Sequence, residues 1–232
     1  TSSTGVIGEP LPHDRILAVL GDLKAGLAPN TIEDAAAAMK QIAISGKKIL
    51  FVATKKQAKG LVAEAAEALN MPYITERWPG GLLTNFATIR KSIKKMQTID
   101  KMKENGTFDS LSKRERLQID RQRAKLDLNL GSIVKMTRMP EAVFIVDTGK
   151  ENIALAEANK LGIRSFAMND TNTNPNLVSF PIPSNDDASK SIQCIMSIVK
   201  TAIAEGLEER GVDQEAKAVE KKEKAKKITE EK

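Results

Sequence analysis

Residues 48–74 have the sequence KILFVATKKQAKGLVAEAAEALNMPYI, and this stretch decides the fold class. Residues 49–53 form a continuous apolar run preceded by lysine, which predicts a strand buried on both faces, as in a parallel sheet. Residues 55–69 have the apolar spacing of a helix, and residues 73–74 form a second short strand. The stretch is therefore predicted to be a strand–helix–strand unit.

The same alternation recurs in the rest of the chain. It predicts strands over residues 142–146, 163–168 and 178–182, and helices over residues 31–45, 152–161 and about 185–205. Thr31 and Asp34 resemble a capping box for the first helix, and Gly46 stands where its C-terminal cap belongs. Asp186 and Asp187 are predicted to favour the positive end of the last helix. Strands that alternate with helices indicate an α/β fold with a doubly wound parallel sheet.

The middle of the chain has a different pattern. From Leu82 to Met96, apolar residues follow in steps of three and four, which predicts a helix that ends near Gly106. Ser112 and Glu115 form a capping box for a second helix, with Ile119, Leu126 and Ile133 at heptad spacing and a stop near Gly131. We expect an inserted antiparallel helical hairpin that forms a short coiled coil.

This pattern divides the chain into four parts. They are an N-terminal segment (1–30), a discontinuous α/β domain (31–83 and 139–206), the inserted hairpin (84–138) and a charged C-terminal tail (207–232). The tail has few apolar residues, so it is interpreted either as a solvated helix or as a disordered segment.

The positive charge is concentrated in the hairpin. Residues 84–138 contain 14 Lys and Arg against 6 Asp and Glu, a net +8, whereas the whole chain carries +6. Arg90, Lys91, Lys94 and Lys95 are predicted to lie on a helix face away from the apolar residues. A charged face is often simply solvated, but this local excess favours an anionic partner.

The composition excludes several classes of protein. A single cysteine, Cys194, allows no internal disulfide, and the single histidine, His13, does not suffice for a metal site of the usual kind. No apolar run approaches the ~20 residues of a membrane span. We therefore expect no cofactor, no metal, no membrane association and a cytoplasmic location.

The most distinctive run is ERWPGGLLTNF at residues 76–86, between a strand and a helix. Its glycines and the helix start can present backbone N–H groups to a phosphate. Trp78 has two possible roles: it stacks on an unpaired base beside Arg77, or it packs between the sheet and the hairpin. The run matches neither of the common glycine-rich nucleotide-binding motifs.

Residues 77–85, RWPGGLLTN, resemble the hallmark motif of the small-subunit ribosomal protein two family. Further segments are similar to the same family in the same order, namely KILFVATKKQA (48–58), PEAVFIVD (140–147), DTN (170–172) and NDDA (185–188). The resemblance covers roughly residues 31–206. The first 30 residues lack the paired histidines that are usual in the family, and Lys150 and Arg164 also depart from its pattern.

The resemblance implies a flavodoxin-like α/β domain with an inserted hairpin that is typical of the bacterial and organellar branch. It implies a structural, non-enzymatic role in the small ribosomal subunit of bacteria, on folded ribosomal RNA between head and body. Neighbouring ribosomal proteins are the other expected partners. Among them is ribosomal protein one, a messenger-RNA-binding protein that is associated with docking on this family.

The expected RNA-binding residues combine the basic turn, the distinctive loop and the basic helix face. They are Lys55, Lys56, Arg77, Trp78, Gly80, Gly81, Thr84, Asn85, Arg90, Lys91, Lys94 and Lys95. Two alternatives stay open: an RNA-binding or scaffold protein that acts off the ribosome, and a nucleotide-binding enzyme. The enzyme hypothesis would use Asp147, Asp170 and Asn172 at strand ends, but it has no positioned histidine, no activated nucleophile and no predicted small-molecule substrate.

Overall fold

The computed structural model describes residues 32–230, with the backbone alone at Asp109 and over residues 213–230. The predictions for the N-terminal segment, for His13 and for the capping role of Thr31 lie outside the described residues.

The predicted alternation of strands and helices is confirmed. The helices are α1 (Ile32–Ile44), α2 (Lys56–Ala68), α3 (Phe86–Glu104), α4 (Lys113–Leu130), α5 (Asn152–Lys160) and α6 (Ser189–Glu230). The strands are β1 (Ile49–Val52), β2 (Tyr73–Ile74), β3 (Ala142–Ile145), β4 (Arg164–Asn169) and β5 (Phe180–Pro183). Short 3₁₀ turns follow α3, α4 and β4 at Thr107–Ser110, Gly131–Ile133 and Pro175–Leu177.

The five strands form one parallel sheet in the order β2-β1-β3-β4-β5. This order is that of flavodoxin-like doubly wound sheets, in which successive strands are added to one side of β1 and then to the other, so that the strand order reverses between β1 and β3. The central strands β1 and β3 are buried along their whole length, as their continuous apolar runs predict.

The two faces of the sheet carry separate apolar clusters because alternate strand residues point to opposite sides. Phe51, Phe144 and Phe166 face α1, α2 and α6. Leu50, Val143 and Ile145 belong to the other cluster, which includes α5 and the segments that flank α3 and α4. The sheet is therefore covered on both sides.

Helix α6 lies close against α1. A Cβ atom at Gly206 would come within 2.6 Å of the carbonyl oxygen of Lys40, so only glycine permits this approach. Lys40 also forms ion pairs with Glu205 and Glu209 at 3.0 and 2.7 Å. These contacts hold α6 against α1 beyond the apolar first half of α6.

The last helix begins at Ser189, later than predicted, and its backbone stays helical to Glu230 instead of ending near Glu205. The continuation agrees with the helical one of the two interpretations of the C-terminal tail. The acids Asp186 and Asp187 precede the helix, and the side chain of Asn185 accepts hydrogen bonds from the backbone of Asp187 and Ala188. Within the described residues, no helix combines the length and apolar character that crossing a membrane requires.

Helices α3 and α4 follow one another in the middle of the chain. The Ser112–Glu115 capping box is present as predicted, and Gly106 adopts the left-handed conformation (φ 71°) just after α3. Asp100 of α3 pairs with Arg123 of α4 at 2.8 Å, and Lys103 pairs with Asp120 at 2.6 Å. The two helices therefore contact each other through ion pairs, and both contribute residues to the same apolar cluster.

Candidate functional site

The loop between β2 and α3 surrounds the carboxylate of Glu157, which is buried on α5. Its Oε1 accepts hydrogen bonds from the indole Nε1 of Trp78 at 3.1 Å and from the backbone of Gly81 at 2.7 Å. Its Oε2 accepts from the backbone of Leu83 at 3.0 Å and from the backbone and hydroxyl of Thr84 at 3.1 and 3.3 Å. The anion that this loop binds is thus a side chain of the same protein.

The local sequence explains this geometry. Gly81 has φ 82°, a conformation that L side chains rarely adopt, and it turns its N–H inward. Leu82 and Leu83 are buried directly after it and fix the loop against the sheet. The backbone N–H groups that precede a helix are a ready site for an anion, and here Glu157 occupies it.

Burial disfavours the charged form of Glu157, but the hydrogen bonds from Gly81, Trp78, Thr84 and Leu83 outweigh that effect and lower its pKa. The carboxylate is therefore ionised near neutral pH. A buried, ionised and multiply hydrogen-bonded carboxylate fixes the loop more strongly than neutral contacts would.

The structure brings the predicted loop residues together but gives several of them an internal role. Trp78 is only 7% exposed, so it packs in the core and is not presented to a base. The N–H groups of Gly81 and Thr84, which were expected to face a phosphate, donate to Glu157 in this structure. Arg77, Gly80 and Asn85 are exposed at the same loop.

The basic turn after β1 also differs from expectation. The Lys55 ammonium lies 3.0 Å from Asp147, 2.8 Å from Asp186 and 2.7 Å from Asp187. Burial lowers the pKa of Lys55, but its hydrogen bonds to Asp186, Asp187 and Asp147 outweigh this and raise the pKa overall. The charge of Lys55 is compensated by three carboxylates within the fold, whereas Lys56 is exposed.

Burial and the contacts with Lys55 also shift the pKa values of the surrounding acids. Burial raises the pKa of Asp147, but hydrogen bonds from the Lys150 backbone and from Lys55 lower it overall. For Asp186, burial is the largest influence and the pKa is raised. Carboxylate oxygens of Asp170, Asp186 and Asp187 lie within 4.8 Å of one another, an oxygen set of the kind that divalent cations prefer. Lys55 already supplies positive charge to two of these acids, Asp186 and Asp187.

The carboxyl edge of the sheet is where doubly wound proteins bind nucleotides. At the reversal between β1 and β3, this edge is filled by the Lys55 ion pairs and by a hydrogen bond from Thr54 to Glu151. Beside it lies a groove of about 500 Å³ between α5 and residues 172–177. The groove is lined by amide, hydroxyl and apolar side chains without an ionisable group, so it offers no acid–base chemistry.

Three lysines on α3 form a different kind of surface, which we call the α3 lysine face. Lys91, Lys94 and Lys95 are all exposed, while Ile93, Met96 and Ile99 on the same helix are buried. None of the three lysines forms an ion pair with a side chain in the described part of the chain. The neighbouring Arg90 is half-buried and donates to the carbonyl of Thr137, so it connects α3 to the segment that precedes β3.

The acids of α3 and α4 do not neutralise this face. Asp100 and Asp127 pair with Arg123, and Asp120 pairs with Lys103. Glu115 is held by the capping box of α4. Four of the five carboxylates of α3 and α4 are thus engaged within the helix pair, and the fifth, Glu104, is exposed at the C-terminal end of α3. The excess positive charge is left at the surface.

The fold and the site together define a class of protein. A doubly wound sheet whose ligand-binding edge is filled by its own ion pairs, with exposed lysines on a helix, is typical of a structural binding protein and not of an enzyme. The family model of ribosomal protein S2 matches residues 23–206. The chain therefore belongs to the ribosomal protein S2 family, a structural, non-catalytic protein family of the ribosome.

Curated relatives support this assignment. The small ribosomal subunit protein uS2 of Flavobacterium johnsoniae is 64% identical over 189 residues, which cover 82% of this chain and 74% of the relative. The protein of the same name from Phocaeicola vulgatus is 63% identical over 188 residues, covering 80% and 67%. That from Bacteroides fragilis is 62% identical over 179 residues, covering 77% and 64%. The chain is thus a bacterial-type member of the family.

Two important residues were missed by the sequence reasoning. Glu157 lies on the apolar face of α5 between Ala154 and Ala158, and an acid on a buried helix face is the signal that could have identified it. Asp186 was interpreted as a helix-start residue, and its burial beside Lys55 has no local sequence signal.

Proposed function

We propose that the protein binds ribosomal RNA through the α3 lysine face and uses the α/β domain as a rigid support. The observation that carries this proposal is the separation of charges in the two middle helices. Four of the five acids are engaged in pairs or in a cap, while Lys91, Lys94 and Lys95 are exposed and unpaired among the described side chains. Ammonium groups placed in this way bind phosphates with a strength that falls as salt rises.

The proposed contact set is smaller than the one expected from sequence. It keeps the α3 lysine face together with the exposed Lys56, Arg77 and Asn85. Lys55, Trp78, Gly81, Thr84 and Arg90 are assigned supporting roles, because each is engaged by groups of the same chain. Gly80 stays in the set only as an exposed position where backbone can approach RNA closely.

The organisation into an α/β domain over 31–83 and 139–206 with an inserted hairpin over 84–138 is part of this proposal. Its support is the order of the ion pairs: Asp100 with Arg123 and Lys103 with Asp120, so that later residues of α3 meet earlier residues of α4. This order is expected of an antiparallel pair of helices. Such a hairpin would act as a basic prong on the support.

Recognition is proposed to depend on shape and phosphate position. Double-stranded RNA hides its base edges in a deep, narrow groove, so lysines on a helix contact phosphates and sugars without reading sequence. Docking of ribosomal protein one is kept as a proposal that rests on the family alone. If this docking occurs, small subunits that lack the chain should also lack ribosomal protein one.

A structure of the small ribosomal subunit that contains this chain would test the proposal. We expect the Nζ atoms of Lys91, Lys94 or Lys95 to lie within about 4 Å of phosphate oxygens. In the same structure, the indole Nε1 of Trp78 should still donate its hydrogen bond to Glu157. If the three ammonium groups point into solvent, the α3 lysine face is not an RNA contact and the proposal is wrong.

A further inference from the structure

The outer face of α4 carries a second row of residues that neither the core nor the α3 lysine face uses. Arg114, Leu117, Arg121, Ala124 and Leu128 follow at alternating steps of three and four, the spacing of a helix seam in a coiled coil. We call these five residues the α4 outer seam. All of them are exposed, and the side chains of Leu117 and Leu128 are 52% and 65% exposed.

The α4 outer seam lies opposite the packed side of the helix. At 100° per residue, Leu117, Arg121 and Leu128 lie within about 40° of one another. Ile119, Leu126 and Leu130, which are half-buried or buried, lie on the other side. Single exposed leucines are common on protein surfaces, but two of them in a heptad row indicate a surface for a second helix.

The charge of the seam selects the kind of partner. Lys113 and Lys125 flank it, so that it carries four basic side chains and no acidic one. None of the four forms an ion pair with a described side chain. A second copy of the same seam would place like charges opposite each other, which is unfavourable. A helix with Asp or Glu beside its apolar row complements both features.

The α3 lysine face differs from the α4 outer seam in its content of exposed hydrophobic side chains. Among the described residues, α3 exposes no large hydrophobic side chain, as expected of a surface for phosphates. Leucines add little to phosphate binding, whereas they stabilise helix–helix contacts. The two helices therefore present surfaces of different chemistry.

We propose that the α4 outer seam docks an acidic, amphipathic helix of another protein of the small subunit. This inference rests on the proposed function only in that the chain sits in the subunit with the α3 lysine face toward RNA. The docked helix contributes apolar residues against Leu117 and Leu128 and carboxylates near Arg114 and Arg121.

Photo-crosslinking in purified small subunits tests this inference. Benzoylphenylalanine replaces Leu117 in one chain and Lys95 in another, and the cross-linked products are mapped by mass spectrometry. From position 117 we expect one peptide of another ribosomal protein that has acidic residues beside apolar residues at helical spacing. From position 95 we expect ribosomal RNA, which tests the proposed function separately.

A pair of variants tests the energetics. For these variants, benzoylphenylalanine is placed at position 121 of the α4 outer seam. Leu117→Gln with Leu128→Gln should lower the yield of the protein cross-link from this position by more than about tenfold. The reason is that the central apolar contacts of an interface carry most of its affinity. Ile153→Gln, at a residue that is also exposed (57%) but lies on α5, should leave the yield unchanged.

The outcomes that would contradict the docking proposal differ from those that would contradict RNA binding by the α3 lysine face. Cross-linking of position 117 to RNA, to a protein segment without acidic helical pattern, or to nothing would overturn the docking proposal even if position 95 reaches RNA. Failure of the Leu117→Gln, Leu128→Gln chain to enter subunits would also overturn it, because the seam would then serve assembly on RNA.

Discussion

The indole Nε1 of Trp78 donates a hydrogen bond to the carboxylate of Glu157 across 3.1 Å, although the two residues are 79 positions apart in the chain. This contact connects the loop before α3 to α5 on one face of the sheet. With the backbone of Gly81, Leu83 and Thr84 bound to the same carboxylate, the start of α3 is held in one orientation. The direction in which the α3 lysine face points therefore depends on one buried acid.

Replacement of Glu157 by Gln tests the strength of this connection. The amide has the same shape but no charge, and its NH₂ group must face a donor N–H on one side of the loop. We expect the free energy of unfolding to fall by about 3 kcal/mol, because hydrogen bonds to charged groups are lost and a donor is left unpaired. Urea denaturation measures this value.

Glu64→Gln is the matched control, since Glu64 is exposed on α2. It should change the free energy of unfolding by no more than about 0.5 kcal/mol. Equal effects of the two substitutions would contradict a special role of Glu157.

The contribution of Glu157 should depend on pH with a defined sign. Its pKa is lowered in the folded protein, whereas a glutamate in an unfolded chain titrates near pH ~4.3. The stability it contributes is therefore fully present above that value and is lost as the pH falls through the lower, folded pKa. The difference in unfolding free energy between the natural chain and Glu157→Gln should be largest near pH 7 and should decrease as the pH is lowered below ~4. A difference that does not vary with pH would show that charge is not involved.

Fluorescence of Trp78 distinguishes core packing from base stacking, because Trp78 is the only tryptophan of the chain. With 7% of its surface exposed, it should emit at short wavelength and resist quenching by iodide. Addition of RNA should leave the emission unchanged. Strong quenching by RNA would support stacking on a base and would contradict the packed role.

Lys55 and Lys56 are adjacent in sequence but should respond differently to replacement by Met. Lys55→Met leaves Asp147 and Asp186 buried without their cation, and we expect a loss of about 3 kcal/mol in unfolding free energy. Lys56→Met should have little effect on stability, since its side chain is exposed. Thermal denaturation of both variants, followed by circular dichroism, makes the comparison. A greater loss for Lys56→Met would refute the structural role of Lys55.

Local sequence signals predicted the elements that local physics determines. The apolar runs of β1 and β3 identify buried strands because each run is bounded by polar residues and turn formers. Ser112 and Glu115 identify the start of α4 because a capping box needs only four consecutive residues. These features required no knowledge of distant contacts.

The site depends on contacts that sequence patterns do not contain. The loop at residues 77–85 has the composition of an anion site, but its anion is Glu157, which follows more than 70 residues later. Lys55 was expected to bind phosphate because the acids that neutralise it come from the segments after β3 and β5. The end of α6 was placed near Glu205 because apolar periodicity stops there, whereas a helix rich in Ala, Glu and Lys continues on propensity.

The salt dependence of subunit binding tests most directly whether the α3 lysine face binds phosphate. The measurement is rebinding of the chain to small subunits that have been depleted of it, over a series of salt concentrations. Lys94→Gln with Lys95→Gln should weaken binding and reduce the slope of log K against log salt by about 2, roughly 0.9 for each lost phosphate contact. Lys190→Gln with Lys200→Gln, at exposed positions on α6, is the matched control and should leave the slope unchanged. An unchanged slope for the α3 variant, with the fold intact, would contradict the account.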